Sequence, residues 1–301
     1  MWLVASLAGY GLLAVAAVLD KFIIARERVH PVTFVFYTAI LVLPIWALAP
    51  FIGGGISDFY DIIGAAVAGI FFAIGLYAMY RSLQTGEASH IGPLIGGVMA
   101  FVTVILTIII LNEQLAEQQM LAVGLLIAGS LMISLEYNRG WRGWNQGVAW
   151  AVLASILFAV SHVASKYIYL RYGFGVGLVW TRGFLGLCAV PLLLSRSVRQ
   201  QVFGGRYSGQ AKSARSRSKL LVVINKLSAV AGTLGVQYAI ALGSVTVVNA
   251  LVGFQYALLV GMIGLLTIFK PRWFKENYSR GEVAQEIAAV VLIGIGLALL
   301  V

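Results

Sequence analysis

The chain has 301 residues, of which 60% are hydrophobic and only 11% charged, whereas a typical soluble domain carries about 25% charged residues. A water-soluble fold of this length could not hide so much apolar surface, so composition excludes that class and points to a bilayer, where each helical span takes about 20 apolar residues. The net charge of +10 would suit nucleic acid, but in a membrane protein it reads as basic residues gathered on cytoplasmic loops. No nucleic-acid partner is expected.

Apolar windows bounded by charges and turn formers predict ten transmembrane helices, near 2–22, 31–52, 60–82, 87–111, 118–136, 146–169, 174–194, 220–242, 244–269 and 283–301. The first opens MWLVASLAG without a basic leader, so it is read as a span and not a cleaved signal. It carries Tyr10, Ala17 and Lys21 at helical spacing, with Asp20 as a local counter-charge. Lys21 can reach the interface from its span end or line a path.

Span 4 begins GEASHIGPLIGG. Glu87 and Ser89 suit the free N–H groups of a helix start. His90 lies one turn in, either as a satisfied helix-end histidine or as a proton- or substrate-linked group. Gly92-Pro93 predicts a kink that frees a backbone carbonyl. Gly92, Gly96 and Ala100 form a stripe of small residues, echoed in span 9 by Gly253, Ala257 and Gly261, and such stripes let helices approach closely. A contact of span 4 with span 9 is expected, with His90 and Asn249 near a cavity.

The midpoint YNRGWRGWN places Trp141 and Trp144 as interfacial anchors, in a 139–145 linker between units 1–138 and 146–301. In span 6, Ser155, His162, Lys166 and Tyr169 share one helical face. Arg182 lies about two turns into span 7 with no partner evident from sequence. The seven-Lys/Arg run between 195 and 219 reads as a solvated loop that fixes orientation. In span 8, Asn225, Ser228, Gly232 and Gly235 repeat the helical spacing, again like a cavity wall. Cys188 is alone, so an intrachain disulfide is excluded.

Seventeen of the 21 Lys and Arg residues fall on the loops after spans 1, 3, 5, 7 and 9 or, as Lys21 and Arg81, at the span ends that border them, against Lys166 and Arg171 on the other face. The positive-inside rule then puts those loops, including 195–219, in the cytoplasm and both termini outside the cell membrane.

The chain also repeats itself. Residues 157–172 align with 12–27, pairing Lys166 with Lys21, and 243–257 align with 86–100, matching Gly86, Leu94, Gly96 and Ala100 to identical residues. Each half has an odd number of spans, so the second enters the membrane from the opposite side. Two inverted five-helix repeats are a recurrent design of secondary transporters. No HExxH, P-loop or metal-ligand spacing occurs, so no enzyme activity, metal or cofactor is expected.

FAVSHVASK (158–166), SLQTGEASHIGPL (82–94) and LNEQLAEQQMLAVGLLIAGSLMI (111–133) resemble segments of the drug/metabolite transporter superfamily, specifically EamA-type ten-helix carriers. The resemblance implies a cavity between the halves and transport of small metabolites by alternating access. The chain departs from the family in having Leu13-Ala14 where Trp-Gly is common, and KPRWFKENYSRGE in place of a short acidic turn. Members are commonly placed with both termini inside, opposite to the loop charges here. The candidate path residues are Tyr10, Lys21, His90, His162, Lys166, Tyr238 and Asn249, with Gly92, Pro93, Gly96 and Gly253 shaping the helices. Proton coupling would use His90 or His162. A lipid-head-group flippase or a membrane enzyme is the alternative. Ten spans suffice for a complete carrier, as a monomer or homodimer.

Overall fold

A computed structural model describes residues 1–24, 31–52, 54–85, 88–135, 146–202, 215–269 and 280–300. The side chain of Lys21, Glu87, the 139–145 linker with its two tryptophans, and residues 203–214 of the 195–219 loop lie outside the described residues. Every regular element among the described residues is helical. In chain order they are α1 (Trp2–Ile24), α2 (Pro31–Val42), a 3-10 helix (Leu43–Phe51), α3 (Phe59–Thr85), α4 (Ala88–Leu111), α5 (Glu117–Ser134), α6 (Gln146–Leu187), α7 (Ala189–Leu192), α8 (Arg196–Val202), α9 (Arg215–Leu242), α10 (Val245–Ala250), α11 (Val252–Phe269) and α12 (Arg280–Ala298).

Among the described residues, seven stretches are long and apolar enough to cross a bilayer, and Leu227–Leu242 and Ala284–Ala298 are shorter apolar helices. The longest stretch, Gln146–Leu192, exceeds one bilayer thickness. It reverses at Gly173, whose φ of 76° is a left-handed value that glycine adopts without steric cost. Beyond the reversal, Gly177 comes against the Tyr169 ring so closely that a side chain there would collide with it. Residues eight apart in a straight helix would be about 12 Å apart. The expected boundary between spans 6 and 7 therefore falls on this glycine.

Large apolar side chains such as Phe101, Ile109, Leu121, Leu227 and Ile287 stand exposed on the outside of the bundle, as expected for a surface that faces lipid. The interior is made of small residues. Ala14, Ala65, Ala78, Ala154, Ala159 and Ala239 are fully buried, and glycines carry the closest crossings. A Cβ on Gly9 of α1 would lie 2.9 Å from the Gly232 carbonyl of α9, and one on Gly232 would lie 2.8 Å from the Gly9 carbonyl. On α3, a Cβ at Gly69 would sit 2.5 Å from backbone atoms of Thr181 and Leu185 on α6. In lipid, where apolar side chains gain little by leaving the solvent, such close packing is what holds helices together.

These crossings revise the reading of span 8. Gly232 and Gly235 face Gly9 of α1, and Asn225 donates to the Ala16 carbonyl at 3.3 Å. That stripe is a seam between α1 and α9, not a cavity wall. Gly92 and Gly96 do meet span 9, against Tyr256 and Val252, as the small-residue stripe predicts. Gly253, however, packs on Ser130 and Leu126 of α5 and on Ile293 of α12, on a different side of its helix. Pro93 lies inside α4, which continues from Ala88 to Leu111, in the second turn, where the bond to the Ser89 carbonyl is lost. The related helix of the second half is interrupted between α10 and α11 at Leu251.

Candidate functional site

The polar residues of the bundle interior gather where α4, α6 and α10 meet. The stripe read on span 6 is buried along its length: Ser155, His162, Lys166 and Tyr169 are all withdrawn from solvent. His162 Nδ1 lies 2.8 Å from Asn249 Oδ1, and Asn249 Nδ2 donates to Thr103 Oγ1 at 2.9 Å. Thr103 in turn donates to the Met99 carbonyl at 2.7 Å. This ladder joins three helices from the two halves. Asn249 lies on α10, a short helix of six residues capped by Ser244, whose Oγ accepts from the Val247 N–H at 3.0 Å.

A second chain of bonds lies along α4. Thr107 and Thr246 hydroxyls are 2.7 Å apart, and Thr246 donates to Glu113 Oε2 at 2.9 Å. Glu113 is turned back toward the bundle by the end of α4. Asn112 takes a left-handed φ of 49°, and the Glu113 N–H closes on the Thr107 carbonyl at 3.2 Å, which folds the chain back over the end of the helix.

Lys166 is held one turn beyond His162. Its Nζ donates to the carbonyls of Gly243 at 2.7 Å and Ala241 at 3.1 Å. These carbonyls belong to the last turn and exit of α9, where the backbone has no partners of its own and the helix dipole is negative. Lys166 thus ties α6 to the α9–α10 turn.

Arg182 is the residue that sequence reasoning left without a role. It is 5% exposed, and its guanidinium lies 4.4 Å over the ring of Phe72 on α3, a cation–π distance. Tyr169 and His162 lie within reach of its charge. The Tyr169 hydroxyl donates to Gln237 Oε1 at 2.8 Å. Gln237, buried on α9, also escaped the sequence reading, since a glutamine in an apolar run carries no distinctive spacing.

The remaining predicted residues separate. Tyr10 is buried with its hydroxyl unpartnered, next to Tyr256 of α11. Tyr238 is 41% exposed and edge-on to Phe174 at 5.2 Å. His90, in the first turn of α4 and partly buried, stands thirteen residues from Thr103, roughly 20 Å along the helix. It is therefore not brought to Asn249, whose partners are His162 and Thr103. Gly92 and Gly96 serve the contact with Tyr256.

A further cluster, absent from the sequence reading, fastens α3 to α6 near the Gly173 reversal. Asp61 is fully buried and accepts from Arg171 Nη1 at 2.6 and 2.7 Å, from Tyr172 at 2.7 Å and from Tyr167 at 3.0 Å. Among the described residues, no group of His, Cys, Asp and Glu could hold a metal ion.

A lipid-facing apolar exterior around an interior of hydrogen-bonded polar side chains defines a multi-pass helical membrane protein. The sequence model of the EamA-like transporter family matches residues 1–135, a match consistent with the drug/metabolite transporter superfamily. A crystal structure of a protein with 16% sequence identity aligns over 98% of this chain and 95% of its own, with a TM-score of 0.63, so the two share a fold. No curated protein matches the chain.

Proposed function

We propose that the protein is a secondary carrier that moves a small polar solute by alternating access, with two inverted five-helix repeats, 1–138 and 146–301, enclosing the path. The observation that carries this reading is the His162–Asn249–Thr103 ladder, together with Arg182, Tyr169 and Gln237, buried within a predominantly apolar bundle. Polar and charged groups at membrane depth are expensive and mark solute or ion pathways.

The pairing of helices supports the inverted repeat. If α1 corresponds to the first arm of α6, α3 to α9, α4 to α10–α11 and α5 to α12, exchanging the halves turns the α3–α6 contact into α9–α1. It likewise turns α4–α6 into α11–α1 and leaves α5–α12 unchanged, and all of these contacts exist. Counting the arms of α6 on either side of Gly173 separately, and joining α2 with its 3-10 extension and α10 with α11, gives ten traverses.

Both termini outside and the basic 195–219 loop in the cytoplasm complete the proposal. Cysteine placed at Ser213 in a Cys188-free background is expected to resist membrane-impermeant maleimide in intact cells. Labelling from outside would reverse the orientation.

Transport itself is tested in proteoliposomes holding the full chain, with a panel of amino acids, nucleosides and small organic acids. Saturable uptake that shows counterflow is expected for a carrier; flux without saturation or counterflow would mean a channel. Proton coupling through His90 or His162 predicts uptake that follows an imposed pH gradient and is lost in the double His→Ala variant. Uptake indifferent to both would remove the coupling and leave the carrier.

A further inference from the structure

The guanidinium of Arg182 presents an edge that nothing in the protein uses. Its Nε and Nη2 are buried and have no hydrogen-bond partner. Those two nitrogens form one side of the guanidinium plane, with N–H bonds that run parallel. This is the fork that matches the two oxygens of a carboxylate or two oxygens of a phosphate. Phe72 covers one face of the plane at 4.4 Å and so fixes its tilt. Among the described residues, no carboxylate pairs with Arg182, although the chain does build a matched pair on the same two helices at Asp61 and Arg171.

An isolated arginine cannot shed its charge, and leaving it unpaired in a buried site is strongly unfavourable. Two explanations that would apply elsewhere fail here. Snorkelling requires the head group to reach the interface, but the Arg182 side chain is buried and folded onto α3. A structural tie would use the N–H donors on neighbouring helices, as Lys166 does with both of its carbonyls.

We propose that Arg182 is the anchor of an oxyanion subsite, which takes the carboxylate or phosphate group of the transported solute side-on through Nε and Nη2. The neighbours suit the task. Tyr169 and Gln237 hold each other beside it, and His162 is fixed through Asn249, so the surrounding side chains are set before a ligand arrives, which reduces the ordering that binding requires. The inference deepens the carrier reading by naming the substrate class. Binding at this edge does not itself depend on transport.

The test uses the full-length protein in nanodiscs, with thermal unfolding followed in sodium lactate, sodium succinate, L-glutamate and sodium phosphate. Sodium chloride and choline chloride at matched ionic strength are the controls. At least one carboxylate or phosphate is expected to raise the Tm above chloride. Lactate and succinate against phosphate distinguish the two sources of the oxyanion.

In Arg182→Gln that rise is expected to disappear, with affinity weakened roughly tenfold or more, the scale of losing one charge-assisted bidentate contact. Arg182→Lys, which keeps the charge but not the fork, is expected to retain only part of the shift and guards against a glutamine variant that fails to fold. Absence of any oxyanion-specific shift in the unmodified protein would overturn the proposal. So would a shift that survives intact in either variant.

Proteoliposome uptake separates this inference from the broader one. Saturable transport of neutral solutes alone, unchanged in Arg182→Gln, would leave the carrier standing and sink the anion subsite. Arg182-dependent oxyanion binding without transport of any solute would do the reverse.

Discussion

Asp61 and Arg182 are both charges withdrawn from solvent at the contact between α3 and α6, and the fold treats them in opposite ways. Around Asp61 it gathers an arginine and two tyrosines, so the carboxylate oxygens accept four hydrogen bonds. Around Arg182 it supplies an aromatic face and leaves one edge of donors unspent. The same helix pair thus shows what a buried charge looks like when it fastens a structure and when it waits for something else. Burial alone does not distinguish the two; the count of partners does.

The contrast is sharpest in stability. Asp61→Asn removes the charge and one of the two acceptor oxygens on which Arg171, Tyr167 and Tyr172 converge, and the Tm in nanodiscs is expected to fall by several degrees. Arg171→Gln should cost less, because Arg171 is 49% exposed and water can stand in for part of what it loses. In the double variant the two losses should not add, since the first already removes the shared pair. Arg182→Met, by contrast, deletes an unpaired ion and keeps much of the side-chain volume, so the ligand-free protein should be as stable as the parent or more so. Equal losses in Asp61→Asn and Arg182→Met would erase the distinction.

The His162–Asn249–Thr103 ladder lies between these extremes, being fully bonded yet placed in the proposed path. Asn249→Ala cuts two interhelical bonds. Such bonds average about 0.6 kcal/mol in a membrane, so a loss of about 1 kcal/mol is expected, read from denaturant unfolding in mixed micelles. His162 would be released at the same time, and solute affinity should change by more than the stability loss explains. A variant that loses stability alone would make the ladder structural, like the Asp61 cluster.

Much of the frame was legible in the sequence because hydropathy acts locally. Every predicted span coincides with helix among the described residues, and the 6–7 boundary falls on Gly173. The polar stripe on span 6 was legible for the same reason, since residues three and four apart must share a helical face. What was not legible depends on partners far along the chain. Asp61 and Arg171 are 110 residues apart, and at the ends of their spans each looks like an ordinary interfacial charge. Gln237 meets Tyr169 only because α9 crosses α6. The interruption at Leu251 has neither proline nor glycine at its centre, so no local signal announces it. His90 and Asn249 were both expected near a cavity, but Asn249 bonds to Thr103, thirteen residues along α4 from His90.

Lys166 offers the smallest effect. Its repeat partner Lys21 made it look like a path residue, yet both of its bonds go to the carbonyls that end α9. If that is its work, Lys166→Met should cost a few tenths of a kcal/mol to about 1 kcal/mol, the usual value of a cation near a helix C-terminus. Lys166→Arg should recover most of that loss, because a guanidinium can also donate to two carbonyls. Solute affinity should stay unchanged in both variants. A loss of affinity in Lys166→Met that Lys166→Arg does not restore would move Lys166 out of the company of Asp61, the bonded fasteners, and into that of Arg182.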